Sequence, residues 1–219
     1  MPWEIWRVED LADHVVDLYT KSGDVFAYSS LLVLSPEYDI GFVVLAVGSS
    51  TTSTVEHLAD TVVAAIIPAL SSAAREQADM IYAGTYSGNS SLNSSMTLET
   101  RSGEPGLILT SWISNSTDLL ATLTVLEDAP EGLDVRLYPA GLRQSTGNST
   151  VRVGFRGVIE RKDIGTNDGG VFSPDCSTWA MTAGTRYGNV GIDEFVFVVE
   201  NGRAIAVEPR ALRTNLDKV

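Results

Sequence analysis

The feature that most constrains the fold is the long stretch after residue 80, where short apolar runs alternate with turn residues and no long helical pattern occurs. Short runs rich in β-branched and aromatic residues, bounded by Gly, Asn, Asp and Pro, are typical of antiparallel strands. About eight strands in roughly 140 residues predict a barrel or a sandwich. The predicted strands are Ser95–Arg101, Gly106–Ser114, Leu119–Leu126, Leu133–Pro139, Thr150–Ile159, Ser177–Thr182, Glu194–Glu200 and Arg203–Glu208.

The last two of these runs carry the clearest local signal. Phe195–Glu200 leads directly into Asn201-Gly202, and a second apolar run follows from Arg203. Asn-Gly between two such runs is the preferred sequence of a type I′ turn, because both central residues must adopt positive φ. The sequence therefore predicts a β-hairpin here.

The front of the chain has a different pattern. Three strands are predicted at His14–Thr20, Tyr28–Leu34 and Ile40–Val47, separated by turns at 21–24 and 35–39. The third run is apolar on both faces, which is typical of a central strand covered on both sides.

After Gly48 the apolar period changes to that of a helix. Leu58, Val62, Ile66, Ala69 and Ala73 recur at helical spacing. We expect a helix at about residues 55–76, with Thr54 as its N-cap and a kink or division at Pro68. The predicted fold class is α+β and mostly β, divided into residues 1–77 and a β-rich domain at 78–219.

The charge and the apolar segments of the chain indicate which classes of partner it does not bind. It has 28 acidic and 15 basic residues, and the net charge of −13 disfavours nucleic acid and anionic membrane surfaces. The apolar segment Val62–Leu70 is too short to span a bilayer. We predict neither a nucleic acid nor a membrane partner.

Four glycosylation sequons indicate a secretory protein. They begin at Asn89, Asn93, Asn115 and Asn148, and together they use half of the asparagines. The first residues lack the basic start and apolar run of a signal peptide, so we expect the chain to be the later part of a longer secreted protein. The single Cys176 is interpreted as a buried apolar residue, or as a half-cystine whose partner lies elsewhere.

One ordered series of motifs carries a family resemblance. Lys21-Ser22-Gly23 is followed by a Tyr-containing turn, a strand, Pro36-Glu37 and a strand ending Gly41-Phe42-Val43-Val44-Leu45-Ala46 before the helix. This series resembles the Lys-Thr-Gly region of serine β-lactamases and penicillin-binding proteins. Later landmarks resemble the lipocalin-like β domain of fungal β-lactamase-like proteins; these are Pro2-Trp3-Glu4-Ile5, Gly84-Thr85-Tyr86, Pro105-Gly106-Leu107, Arg136-Leu137-Tyr138-Pro139, Phe155-Arg156-Gly157 and Cys176-Ser177-Thr178-Trp179.

The resemblance implies a role for each residue of the motif. Lys21 would be the electrostatic group, Ser22 a hydroxyl donor to substrate, and Gly23 the residue that leaves room for it. The backbone N–H of Asp24 would form half of an oxyanion hole. By the same resemblance, the full-length proteins of the family would act on small esters, amides or β-lactams. They would be extracellular.

The nucleophile motif of that family, Ser-x-x-Lys, cannot be written in this sequence. The three lysines are Lys21, Lys162 and Lys218, and Leu18, Ile159 and Asn215 stand three residues before them. His14 and His57 belong to no metal-ligand spacing, and we predict no metal and no cofactor. The Ser-x-Asn and Tyr-x-Asn tripeptides all follow the Lys-Ser-Gly strand, in the reverse of the family order, and are interpreted as chance matches.

Three hypotheses about function remain open. The first is a hydrolase fragment that is inactive alone, and whether this chain is itself an enzyme stays undecided. The second is a non-enzymatic β-barrel binding or accessory module at 80–219, with a cavity for small apolar ligands. The third is a truncated product without a function of its own. The sequence does not distinguish β-lactam from ester or peptide hydrolysis.

Overall fold

The computed structural model describes residues 2–12, 14–88, 91, 93–147, 149–162 and 182–219. The chain divides into two compact units, Met1–Arg75 with Ser102–Pro105 and Glu76–Arg101 with Gly106–Val219. This division falls two residues before the boundary predicted after residue 77.

The first unit is built on a four-stranded antiparallel sheet. Its strands follow chain order and are β1 (Glu4–Val8), β2 (Val16–Val25), β3 (Tyr28–Ser35) and β4 (Ile40–Val47). Strand β1 was not predicted, because its exposed residues carry no clear alternation and its pairing with β2 is set by residues distant in sequence.

Two predictions about these strands are wrong. Residues 21–24 do not form the turn predicted after His14–Thr20. Strand β2 continues through them to Val25, and the chain turns at Phe26, which has a φ of 54°. Strand β4 lies at the edge of the sheet and not at its centre. Its alternate residues Val43, Leu45 and Val47 are more than half exposed, so the apolar run reflects a second apolar face that no described residue buries.

The other face of the sheet packs against helix α1 (Thr51–Tyr82). Val16, Leu18 and Val33 form a buried cluster with Ile67 of the helix. The period-2 alternation of β2 and β3 places these side chains on one face, and the 3.6-residue period of α1 brings Ile67 onto them.

Helix α1 is longer than the predicted segment 55–76. It begins at Thr51, so Thr54 lies inside the first turn and is not the N-cap, and it continues through Pro68 without division. By length and composition alone the whole helix, which extends well beyond the apolar segment Val62–Leu70, could cross a membrane. A single helix that passes this test is a weak signal, because core helices pass it as well.

The second unit is a closed antiparallel β-barrel of eight strands. The strands are β5 (Gly84–Ser87), β6 (Ser95–Arg101), β7 (Glu104–Ser114), β9 (Leu133–Gly147), β10 (Thr150–Arg161), β13 (Glu194–Glu200), β14 (Arg203–Pro209) and β15 (Leu216–Lys218). The order around the barrel is β6-β5-β15-β14-β13-β10-β9-β7, and β7 pairs back onto β6. Short strands β8 (Thr117–Asp118), β11 (Arg186–Tyr187) and β12 (Val190–Gly191) also belong to this unit.

Large side chains occupy the interior of the barrel. Phe155 and Phe197 stack edge to face with their ring centroids 4.8 Å apart, and the Tyr82 ring lies 5.0 Å from each. Trp112 is 1% exposed and packs on Phe195. These rings fill space that a lipocalin-like cavity for apolar ligands would need, so the packing does not favour the ligand-binding alternative.

The predicted hairpin is confirmed. Glu200 pairs with Arg203 across the turn, and Asn201 and Gly202 have φ of 49° and 78°. Positive φ at both central residues is the geometry of a type I′ turn.

Two of the sequence landmarks meet in the barrel wall. Leu107 of β7 pairs with Leu137 of β9. Gly106 has a φ of +77°, and a Cβ placed there would lie 2.9 Å from the Tyr138 ring and 3.2 Å from the Leu137 carbonyl oxygen. The Pro105-Gly106-Leu107 and Arg136-Leu137-Tyr138-Pro139 landmarks therefore belong to one contact.

The predicted strand Leu119–Leu126 is wrong, since these residues form helix α2. Asp118 caps this helix, and its carboxylate accepts a hydrogen bond from the Ala121 N–H at 3.0 Å. The predicted strand Ser177–Thr182 and Cys176 lie outside the described residues, apart from Thr182.

Candidate functional site

The Lys-Ser-Gly segment lies where β2 runs past the end of its neighbour. Strand β1 pairs with β2 from Val8–Val16 to Glu4–Thr20 and ends there, whereas β3 pairs with β2 as far as Val25. Residues 21–25 therefore have a strand on one side only within the described residues. A free strand edge offers backbone N–H and C=O groups to a substrate or to another strand.

Lys21 forms an ion pair with Glu4, the first residue of β1. Its Nζ lies 2.6 Å from Glu4 Oε1, and the lysine side chain is 31% exposed. The carboxylate neutralises the ammonium in this arrangement. For Lys21 to act on a substrate anion, Glu4 would have to release it or share it.

Ser22 and Asp24 lie on the opposite face of β2 from Lys21, because side chains alternate along a strand. Asp24 Oδ1 accepts a hydrogen bond from Thr52 Oγ1 at 3.0 Å. The buried Ser29 Oγ lies 2.7 Å from Thr51 Oγ1 and 3.2 Å from Thr52 Oγ1. Hydrogen bonding by Ser29 and by Thr52 holds the pKa of the Asp24 carboxyl below its ordinary value. Asp24 is therefore a carboxylate at neutral pH.

Gly23 leaves space on one side of β2, and its role of making room for a substrate stays a prediction. A Cβ there would lie 3.1 Å from Ser30 Oγ, which itself donates a hydrogen bond to the Gly23 carbonyl at 3.1 Å. The neighbour that uses this space is thus a serine hydroxyl of β3.

A cleft of about 480 Å³ opens between α1 and the sheet of the first unit. This volume is within the range of small-molecule sites. Its polar lining is Glu4, Thr20, Ser22, Asp24, Ser29, Ser30, Thr52, Glu56 and Asp60, and its apolar lining is Trp6, Val8, Leu18, Leu31, Val33, Val55, Ala59 and Val63.

The histidines form no catalytic arrangement in the described part of the chain. His14 Nε2 contacts Glu37 Oε1, and both side chains are partly exposed. The backbone carbonyl of His57 accepts a helical hydrogen bond from Thr61 Oγ1 at 2.8 Å. Among the residues that the structure describes, no three His, Cys, Asp or Glu side chains group as metal ligands would.

Two of the four sequons can be placed. Asn93 and Asn115 are exposed, with φ of 37° and 48°, and the Asn93 amide donates to Ser116 Oγ at 3.0 Å. Asn89 and Asn148 lie outside the described residues.

The sequence prediction named Lys21, Ser22, Gly23 and Asp24 but missed the residues around them. Glu4 pairs with Lys21, and Ser29 and Thr52 surround Asp24. The Thr51-Thr52 pair before an apolar helical pattern was the available signal, since hydroxyl residues gather at helix starts. Glu4 had no such signal, because its contact depends on the unpredicted β1.

The sequence model of the family described as "Beta-lactamase-like-like, C-terminal domain" matches residues 74–219. The chain belongs to this family. A beta-lactamase-like protein of Arthroderma benhamiae is 28% identical over 243 aligned positions, which cover 98% of this chain and 40% of the relative. A probable hydrolase of Cochliobolus lunatus, clz13, is 30% identical over 140 positions, which cover 60% of this chain and 22% of the relative.

The family assignment confirms the resemblance to fungal β-lactamase-like proteins. The chain spans less than half the length of the two curated relatives that it matches. No solved structure matches it. The activities in the relatives' names are therefore statements about those longer proteins.

Proposed function

We propose that this chain is the C-terminal part of a secreted serine hydrolase that works by acyl transfer. The observation that carries the proposal is the free edge of β2 at residues 21–25, which bears Lys21 and Ser22 past the end of β1. In this proposal the edge forms one wall of the acyl site. Lys21 stabilises developing negative charge, and the Asp24 N–H serves as one oxyanion-hole donor.

The second wall would carry the nucleophile. A serine needs a neighbouring base to become reactive, and the Ser-x-x-Lys arrangement that supplies one in serine β-lactamases is missing from this sequence. We therefore propose that the chain alone does not turn over substrate. The substrate class is a small ester, amide or β-lactam.

The test compares this chain with a longer relative that carries Ser-x-x-Lys, using a chromogenic ester and a chromogenic cephalosporin. The longer protein should hydrolyse at least one of them and this chain neither. Substitution of the lysine that matches Lys21 by Ala should lower kcat/KM by about 100-fold or more, as removal of one electrostatic donor does elsewhere. The matched control is substitution of an exposed lysine of that protein away from the site, which should leave kcat/KM unchanged. Steady turnover by this chain alone would contradict the proposal.

Secretion and glycosylation are part of the same proposal. Asn93 and Asn115 are exposed, and Asn115 lies in the turn after β7. Expression through a fungal secretory pathway should give a product whose mass falls on treatment with an N-glycosidase. An unchanged mass, together with unmodified Asn93 and Asn115 in peptide mapping, would refute this part.

A further inference from the structure

The turn Asn201-Gly202 joins β13 to β14, and both of its residues are exposed. Glu200 and Arg203 pair across it, so the last cross-strand partners lie just outside the turn. Within the described part of the chain, neither the Gly202 N–H nor the Asn201 side-chain amide has a hydrogen-bond partner. A Cβ placed on Gly202 would meet nothing within 4 Å. An unbonded backbone nitrogen therefore directly follows an unbonded side-chain amide in an open turn.

These two groups can react with each other, because adjacent residues hold them close together. The Gly202 nitrogen attacks Cγ of Asn201, and a succinimide ring forms as the bond from Cγ to Nδ2 breaks. Nδ2 leaves as ammonia and takes the proton that the Gly202 nitrogen loses. Water then opens the ring at one of its two carbonyl carbons, and the Gly202 nitrogen regains a proton. Opening at Cγ gives aspartate, whereas opening at the backbone carbon gives isoaspartate, in which the chain passes through Cβ and Cγ.

Glycine is the most favourable residue to follow the asparagine in this reaction. It has no side chain to shield the attacking nitrogen, and its backbone adopts many conformations at little cost. The folded turn restrains the reaction, because ring closure requires Asn201 to rotate away from its positive φ geometry. The end of a hairpin opens at a low free-energy cost, since few buried contacts hold it. The reaction in the folded protein therefore proceeds through local opening of this turn.

Asn189 lies in a second two-residue turn but lacks this combination. Tyr187 and Val190 pair across that turn, so the nitrogen that follows Asn189 belongs to strand β12. Val190 is also β-branched, and its side chain crowds the backbone nitrogen. Asn189 is thus an internal comparison for Asn201.

The remaining described asparagines are less suited to the reaction for two reasons. Each is followed by a residue with a side chain: Asn93 by Ser94, Asn115 by Ser116 and Asn215 by Leu216. The side-chain amides of Asn93 and Asn215 also donate hydrogen bonds, at 3.0 and 3.1 Å.

We propose that Asn201 is a site of spontaneous deamidation in the folded protein, with aspartate and isoaspartate as its stable products. Water is the only co-reactant, so the proposal is independent of the acyl-transfer proposal. Each event adds one negative charge next to Glu200. The isoaspartate product also lengthens the backbone of a two-residue turn, which should loosen the pairing of Glu200 with Arg203.

One tryptic peptide allows both hairpin turns to be compared in the same molecule. Cleavage after Arg186 and Arg203 releases residues 187–203, which contain Asn189 and Asn201 as their two asparagines. The folded protein is incubated at mildly alkaline pH in water enriched in the heavy oxygen isotope and is then digested in ordinary water. Only molecules that deamidate during the incubation gain the label, which fragmentation mass spectrometry locates. We expect about tenfold less label at Asn189 than at Asn201, a difference that corresponds to about 1.4 kcal/mol in the barrier.

A pair of glycine variants tests the role of the attacking nitrogen. Gly202→Ala places a side chain beside that nitrogen and should slow the labelling of Asn201 about tenfold. Gly103→Ala is the matched control, because Gly103 and Gly202 have φ of +79° and +78° and both face open space. The control should leave the labelling of Asn201 unchanged. Circular dichroism checks that both variants remain folded, and the urea-unfolded chain provides the rate without the restraint of the turn.

Three outcomes would overturn the proposal. The first is no label at Asn201 of the folded protein after an incubation that fully labels the unfolded chain. The second is equal labelling of Asn189 and Asn201, which needs no variant to detect. The third is equal labelling of Asn201 in Gly202→Ala and Gly103→Ala. Label at Asn201 that decreases in Gly202→Ala alone supports the proposal.

Discussion

Gly103 lies in the turn between β6 and β7, Gly106 lies within β7, and together they allow a matched test of close packing. Both have positive φ, +77° at Gly106 and +79° at Gly103. A Cβ at Gly103 would meet nothing within 4 Å, whereas at Gly106 it would lie 2.9 Å from the Tyr138 ring and 3.2 Å from the Leu137 carbonyl oxygen. The two alanine variants therefore share the backbone cost and differ in the steric one.

The expected magnitudes follow from these distances. Ala at positive φ costs roughly 1–2 kcal/mol, which Gly103→Ala should show alone. Gly106→Ala adds the displacement of a packed ring and a strand carbonyl, worth about 1–3 kcal/mol by comparison with overpacked cores. We expect its free energy of unfolding to fall by that additional amount relative to Gly103→Ala.

The measurement is urea denaturation of both variants, monitored by far-UV circular dichroism, with the m-values compared to check that the transition is unchanged. Repeating Gly106→Ala in a Tyr138→Ala background removes the ring and should recover most of the additional cost. Equal destabilisation by the two glycine substitutions, or no recovery in the Tyr138→Ala background, would refute the steric argument.

Two further predictions concern charged groups. Glu208→Gln should lower the free energy of unfolding by about 1–2 kcal/mol, because Arg152 donates to both Glu208 carboxylate oxygens at 2.6 and 2.7 Å. The control is Glu200→Gln, at an exposed residue, which should change the free energy of unfolding little in the same denaturation assay. Thr52→Val should raise the pKa of Asp24 towards its ordinary value in a carboxyl NMR titration, because it removes a hydrogen bond to the ionised form. Since the Asp24 pKa is depressed in the folded protein, the stabilisation of the fold by the Asp24 carboxylate is present at neutral pH and is lost as the pH falls through that pKa. An unchanged Asp24 titration curve in Thr52→Val would contradict this account.

The sequence predicted the elements whose signal is local. The Asn201-Gly202 turn was predicted because only a few residues tolerate positive φ at both positions. The strand at Tyr28–Leu34 and the helix after the sheet were also predicted, and both elements are present. These features depend on neighbouring residues, which a sequence displays directly.

The errors occurred where distant contacts decide the outcome. Leu119–Leu126 is apolar throughout, so its composition fits a buried strand equally well, and the Asp118 cap that favours a helix was overlooked. Helix α1 extends to Tyr82 because Ala78 and Tyr82 pack against the barrel core, which no local period reveals. In the candidate site, Glu4 reaches Lys21 only because β1 pairs with β2, a contact 17 residues apart.

The end of α1 determines where this protein can be divided. Tyr82 lies among Phe155 and Phe197, its carbonyl accepts a hydrogen bond from the Tyr86 hydroxyl at 2.5 Å, and the Ile81 carbonyl accepts one from Lys218 Nζ at 3.3 Å. The family match also begins before these residues, at position 74. Any gene fusion or domain exchange that keeps the barrel must therefore carry the last turns of the helix with it, since a junction at the helix end would remove an aromatic ring from the barrel core.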